Sequence, residues 1–173
     1  MKTRILLGLA VVFLVLQVFR PARNASTTAP FTGKDDITVL FPPPPAVKQI
    51  LATSCYDCHS NQTHYPWYAE VQPVGWWLAS HIRSARQELN FAEFGAYTRK
   101  RQVKKLEALC DEVRDRTMPL PSYALIHRDA KLTDAQIAAL CAWAEGVQDK
   151  IGGEQSARTR DDGQRTTRLR TAN

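Results

Sequence analysis

Cys55-Tyr56-Asp57-Cys58-His59 decides how the rest of this 173-residue chain is read. Two thiols separated by two residues, followed at once by an imidazole, make the C-x-x-C-H pattern of covalent haem attachment. Each thiol can form a thioether to one porphyrin vinyl group, and the imidazole then lies under the iron as an axial ligand. The expectation is one covalent haem c per chain, held by Cys55 and Cys58, with His59 on the iron. A zinc site would need a second close pair of ligands, and Cys110 and Cys141 stand alone in the sequence. A thioredoxin-like C-x-x-C would need a βαβ setting, which the pattern does not supply. Neither a glycine-rich phosphate loop nor a G-x-S-x-G turn is present.

Working outward, haem held on one side by histidine offers the iron a sixth position. Met118 is the only methionine in the body and sits in the stiff loop Met118-Pro119-Leu120-Pro121. A soft thioether there would favour the ferrous state and raise the potential; the competing use is a methionine filling a core gap. His81, on the apolar face of an expected helix, and His127 rank behind Met118 as ligands, and either would lower the potential. Trp67, Trp76 and Trp77, three of the four tryptophans, fall in one aromatic stretch. They are expected as flat walls beside the porphyrin, or as an ordinary aromatic core. Arg83 and Arg86 could neutralise propionates or simply face water.

The N-terminus points to export, and the haem motif decides the side of the membrane. After Lys2 and Arg4, residues 5–19 are apolar apart from Gly8 and Gln17. That run is short for a spanning helix and long enough for a signal core. Arg20-Pro21-Ala22-Arg23 follows in place of an A-x-A cleavage site, so residues 1–24 read as an uncleaved signal anchor ahead of a cleaved signal peptide. Attachment of c-type haem happens outside the cytoplasm. The body is therefore expected in the periplasm, on a single-pass inner-membrane tether, or secreted there if the segment is cut. An oxidising compartment permits a Cys110–Cys141 disulfide, although both residues lie among apolar neighbours and read first as buried thiols.

The net charge of +6 comes from the ends. Residues 25–150 hold 14 basic and 14 acidic side chains. A neutral body argues against a phosphate-binding face, so no nucleic-acid partner is expected.

Residues 25–45 read as an extended linker closing on Pro42–Pro45, with a β-like run at residues 37–40 that packs on the body. The folded body spans residues 46–150. Helical spacing predicts a helix from Pro45 into the motif, one from Trp77 to Leu89 with Asn90 as its C-terminal cap, and one from about Tyr97 to Arg116. Residues 117–127, with two prolines, read as an extended loop. The last helix starts at Thr133 with a capping box to Gln136 and stops at Gly152-Gly153. Residues 151–173 are arginine-rich, nearly free of apolar side chains, and expected to be disordered. The fold class is mostly α: a small helical domain around one haem.

An ordered set of segments extends beyond the motif: Ser54 through Asn61, Tyr65-Pro66-Trp67-Tyr68, Pro73-Val74-Gly75-Trp76-Trp77-Leu78, His81-Ile82, Glu88-Leu89-Asn90-Phe91, Met118 through Tyr123, and Leu125 through Leu132. In that order, over residues 46–147, they resemble the bacterial haem-binding domain family, small cytochrome-c-like proteins often carrying an N-terminal membrane anchor. The resemblance implies covalent haem on Cys55 and Cys58 with His59 as axial ligand, and it implies no pathway. The functional expectation is a membrane-tethered monohaem c-type electron carrier with an unidentified redox partner protein, rather than a catalyst. The alternative is a haem-based sensor or small peroxidase whose sixth iron position is open or displaceable.

Overall fold

The structure, a computed structural model, describes residues 1–26 and 28–171, with side chains only as far as Gly153. It is mostly helical, and no strand occurs among the described residues. Among the described residues eight α-helices run in chain order: α1 (Lys2–Leu16), α2 (Ile37–Leu40), α3 (Pro45–Ser54), α4 (Tyr56–His59), α5 (Val74–Glu88), α6 (Arg99–Arg114), α7 (Pro121–Ile126) and α8 (Asp134–Thr171). Three 3-10 turns lie between them, at Trp67–Glu70, Phe91–Ala96 and Arg128–Ala130.

The core forms where α6 lies along α8 and α3 closes over the end of α8. The stripe Leu106, Leu109, Cys110 and Val113 on α6 meets Ile137, Leu140, Cys141, Ala144 and Val147 on α8. Both stripes repeat every three or four residues, which puts them on one helix face. Each fully buried leucine there contributes roughly 1.5–3 kcal/mol relative to an exposed one. The capping box forms as expected: Gln136 N–H donates to Thr133 Oγ1 (3.3 Å) while Thr133 N–H donates to Gln136 Oε1 (2.9 Å).

Four sequence expectations are corrected. Residues 37–40 form a helical turn instead of a β-like run, because the Asp36 carboxyl caps it by accepting from Thr38 N–H (2.8 Å). Ile37 is fully buried, so the run packs on the body as expected. Residues 117–127 are not wholly extended, since α7 begins on Pro121, whose fixed φ and absent N–H suit a first helical position. Asn90 caps no preceding helix; its side chain accepts from Ala92 N–H (3.2 Å) and starts the next 3-10 turn. Gly152-Gly153 do not stop α8. Ile151 continues the buried stripe at 2 % exposure, and Arg99 donates to its carbonyl (3.3 Å). The burial of Ile151 offsets a glycine cost of roughly 1 kcal/mol each. Of residues 151–173, expected to be disordered, 151–171 continue α8, and residues 172 and 173 lie outside the described residues.

None of the side chains of α1 is buried. Among the described residues no helix is long and apolar enough to cross a membrane.

Candidate functional site

The motif is presented by a break between two helices. α3 buries Val47, Ile50 and Leu51 and ends at Cys55, whose φ of −128° turns the chain into the single turn α4. Tyr56, between the two cysteines, is the pin. Its ring stacks on Phe31 (4.1 Å between centroids) and on Phe91 (5.3 Å), and its hydroxyl donates to Asp36 Oδ1 (2.9 Å). Asp57 faces the other way, accepting from His64 N–H (3.0 Å) and from the Tyr123 hydroxyl (3.2 Å).

The motif opens onto a cleft of two adjoining lobes, about 260 Å³ and about 200 Å³. Cys55, His59, Met118 and Pro119 line both lobes. Leu89, Phe91, Leu109, Val113 and Leu132 complete the first. Cys58, His81, Ala85, Leu120 and Tyr123 complete the second. Together the lobes reach the range of roughly 300–1,000 Å³ usual for small-molecule sites, with the mostly apolar lining such sites have.

The His59 ring is oriented before any ligand arrives. Its Nδ1 lies 2.9 Å from the Leu89 carbonyl oxygen. The imidazole therefore donates from Nδ1 and keeps the Nε2 lone pair for a metal. Burial lowers its pKa, against the raising effect of the backbone hydrogen bonds, which favours the neutral, ligating form. Burial likewise pushes the Cys55 thiol up to about 12, with the neighbouring Cys58 adding to the effect, and Cys58 to about 11.

Met118 reaches the cleft through the turn after α6. Arg116 adopts φ of +61° there, and Met118 N–H donates to the Glu112 carbonyl (3.1 Å). The Arg116 guanidinium ties this turn to the start of α8 through the Leu132 carbonyl (2.7 Å) and Asp134. Two thiols, an oriented neutral imidazole and a thioether on one apolar cleft form a donor set that fits haem.

The other expected residues divide. His81 lines the second lobe, one turn from Trp77, whose ring packs on it (4.2 Å between centroids). His127 lines neither lobe; its Nε2 pairs with the Tyr68 hydroxyl (2.8 Å) and its ring stacks on Tyr123. The tryptophans are not walls of the cleft. Trp67 is 79 % exposed and Trp77 47 %, and Trp76 Nε1–H donates to the Phe19 carbonyl (2.7 Å). They sit on the short 3-10 turn and the outer side of α5, where the buried positions go to Ala69, Gly75, Leu78 and Ile82. Arg86 turns to Asn61 Oδ1 (2.8 Å) instead of the cleft. The cation at the cleft is Lys105, paired with Glu88 (3.0 Å).

Sequence reasoning missed Asp36, Leu89 and Lys105. A buried carboxyl twenty residues before Tyr56 and a backbone carbonyl leave no local pattern. Lys105 is hidden in a helix rich in lysine and arginine.

Residues 11–146 match the family model described as a haem-binding domain. Neither a curated protein nor a solved structure matches the chain.

Proposed function

This chain belongs to the haem-binding domain family, and from that premise we propose that it is a monohaem c-type cytochrome, tethered to a membrane outside the cytoplasm, that carries single electrons. The observation that carries the reading is that His59 and Met118 line the same two lobes as Cys55, with Cys58 in the second. Cys55 and Cys58 hold the porphyrin through thioethers, His59 offers Nε2 to the iron, and Met118 offers its sulfur. Bound there, haem supplies a one-electron Fe(III)/Fe(II) couple.

The chain does the remaining work. Leu89, Phe91, Leu109, Val113 and Leu132 exclude water from one lobe, which disfavours the more highly charged oxidised state. The Leu89 carbonyl fixes the tautomer and direction of His59. The α6–α8 packing and the Arg116 bonds hold the Met118 loop in place.

The tether is α1. Its 15 residues rise about 22 Å at 1.5 Å per residue, short of the roughly 30 Å hydrocarbon core. In this reading it is embedded in lipid without a full span of its own.

The test is the full chain made in a host with c-type maturation. The expected product resists acid–acetone extraction, is heavier by one haem, shows a low-spin spectrum with a thioether charge-transfer band, and does not bind carbon monoxide. Met118→Ala should abolish that band, lower the midpoint potential and admit carbon monoxide. A high-spin wild-type spectrum with ready carbon monoxide binding would replace the carrier with a sensor or peroxidase. An unchanged Met118→Ala spectrum would hand the sixth position to His81.

A further inference from the structure

The foot of α1 is not a loose tether. Gln17 exchanges two hydrogen bonds with the Gln72 backbone: its Nε2–H donates to the carbonyl (3.3 Å) and its Oε1 accepts from the N–H (2.8 Å). The Phe19 carbonyl accepts from Trp76 Nε1–H. Arg20 and Arg23 both pair with Glu70, and the Arg23 guanidinium lies 4.8 Å over the Tyr65 ring. Asn24 closes the seam: its backbone N–H donates to the Tyr65 hydroxyl (2.7 Å) and its amide to the Ser60 carbonyl and Thr63 hydroxyl (2.9 Å each). A flexible connector makes no such set of bonds. The seam fixes which face of the haem domain points along α1.

Next to the seam partners in sequence, large apolar side chains are exposed. Trp67 is 79 % exposed, Trp77 47 % and Val74 40 %. Each lies one to three residues from a partner in the seam: Trp67 from Glu70, Val74 from Gln72, Trp77 from Trp76. Exposed tryptophans next to an apolar helix with no buried side chain form the combination found where protein meets the headgroup layer, since the indole has an apolar body and a polar N–H. The charge agrees. Residues 1–34 contain no acidic side chain, and Arg20 and Arg23 sit at the junction, which suits an anionic lipid surface.

We propose that Trp67, Val74 and Trp77 lie in the headgroup–acyl boundary of the bilayer that receives α1, so that one fixed face of the haem domain rests on lipid. This rests on the membrane tether of the proposed function and adds an orientation to it. Trp77 packs on His81 in the cleft wall, so the cleft lies beside the lipid and not at the end of a long stalk.

The full haem-loaded chain is reconstituted in vesicles of phosphatidylethanolamine and phosphatidylglycerol doped with a phosphatidylcholine carrying a diazirine in its acyl chain. Light-induced adducts are mapped by peptide mass spectrometry. Adducts are expected on α1 and on the peptide bearing residues 67–77. Because both side chains are exposed, Trp67→Ser/Trp77→Ser should fold, keep the α1 adducts and lose those on residues 67–77 several-fold. Adducts on α1 with none on residues 67–77 would overturn the proposal and leave the tryptophan face to a protein partner. Absence of adducts on α1 would strike down the tether itself, and the orientation with it.

Discussion

His59 Nδ1 donates to the Leu89 carbonyl oxygen across 2.9 Å, which leaves its Nε2 as the free lone pair at the cleft. This bond joins the motif to the end of α5 and fixes a tautomer that the sequence cannot specify. In His59→Ala the Leu89 carbonyl stays behind as an acceptor at the edge of an imidazole-sized gap. Added imidazole should then restore the low-spin spectrum of the haem-loaded variant. 1-Methylimidazole has no N–H to give Leu89. It should bind about two- to twelvefold more weakly, the factor corresponding to a net hydrogen bond of ~0.5–1.5 kcal/mol. Equal rescue by the two, read by optical titration, would show that the Leu89 bond does not orient the ligand.

Asp36 is the second support of the motif. Its Oδ1 accepts from Thr38 N–H (2.8 Å), the Thr38 hydroxyl (2.6 Å) and the Tyr56 hydroxyl (2.9 Å), and the residue is 1 % exposed. Tyr56→Phe keeps the stacking on Phe31 and Phe91 and removes one donor. It should cost about 1–3 kcal/mol, the usual penalty for unpairing a buried polar group, and Asp36→Ala should cost more because α2 also loses its cap. Burial first, and then Asp36, hold the Tyr56 phenol well above its ordinary pKa of 10.0. The unfolded chain releases that proton above pH 10 and the folded chain keeps it, so wild-type stability should decline as the pH rises past that point. Tyr56→Phe should lack this component. Identical denaturant midpoints for wild type and both variants would remove Asp36 from any supporting role.

The contrast between Met118 and Asp36 shows what the sequence makes legible. The haem motif is five adjacent residues, and Met118 is conspicuous because it is the body's lone methionine in a proline-framed loop. The α6 and α8 stripes and the Thr133–Gln136 box are likewise local patterns, and they form where expected. Asp36 reads as polar linker until the fold brings Tyr56 to it from twenty residues away. The tryptophans mislead for the opposite reason: aromatic side chains normally go inside, and only the tertiary arrangement gives the buried side of α5 to Leu78 and Ile82 and leaves Trp77 outside. α7 is missed because two prolines read as extended chain, whereas one of them starts a helix.

Four cysteines, two in the motif and two buried between α6 and α8, give a count that tests covalent attachment. Cys110 and Cys141 are free and buried where α6 meets α8. Burial, and then the contact with Cys141, raises the Cys110 pKa. With Cys110 held protonated, and so slow to react, and both side chains buried, the pair should survive purification reduced. Haem-loaded protein unfolded in guanidinium and treated with iodoacetamide should carry two caps, on Cys110 and Cys141, and none on Cys55 or Cys58. Four caps would refute covalent haem, and no caps at all would mean that α6 and α8 are joined by a disulfide.

Gly75 is the position where α5 comes closest to the 3-10 turn bearing Trp67. A Cβ built there would lie 2.4 Å from the Ala69 carbonyl oxygen and 2.9 Å from the Gln72 side-chain amide. Ala69 is fixed by its own packing against Leu78 and Ile82, and Gln72 is held by Gln17 at the foot of α1. Neither neighbour can move without disturbing that cluster or the seam. Alanine would gain roughly 1 kcal/mol of helix propensity over glycine, but overpacking of this kind costs about 1–3 kcal/mol, and contact with a backbone oxygen belongs at the upper end. Gly75→Ala should therefore destabilise the domain. Gly146 on α8 supplies the matched comparison, because a Cβ there meets nothing within 4 Å. Gly146→Ala should stabilise by about 0.5–1 kcal/mol from propensity alone. Denaturant midpoints that move in opposite directions are the expected result. If both variants gain stability, the turn is free to yield, and the rigid junction between α5, the 3-10 turn and the foot of α1 is wrong.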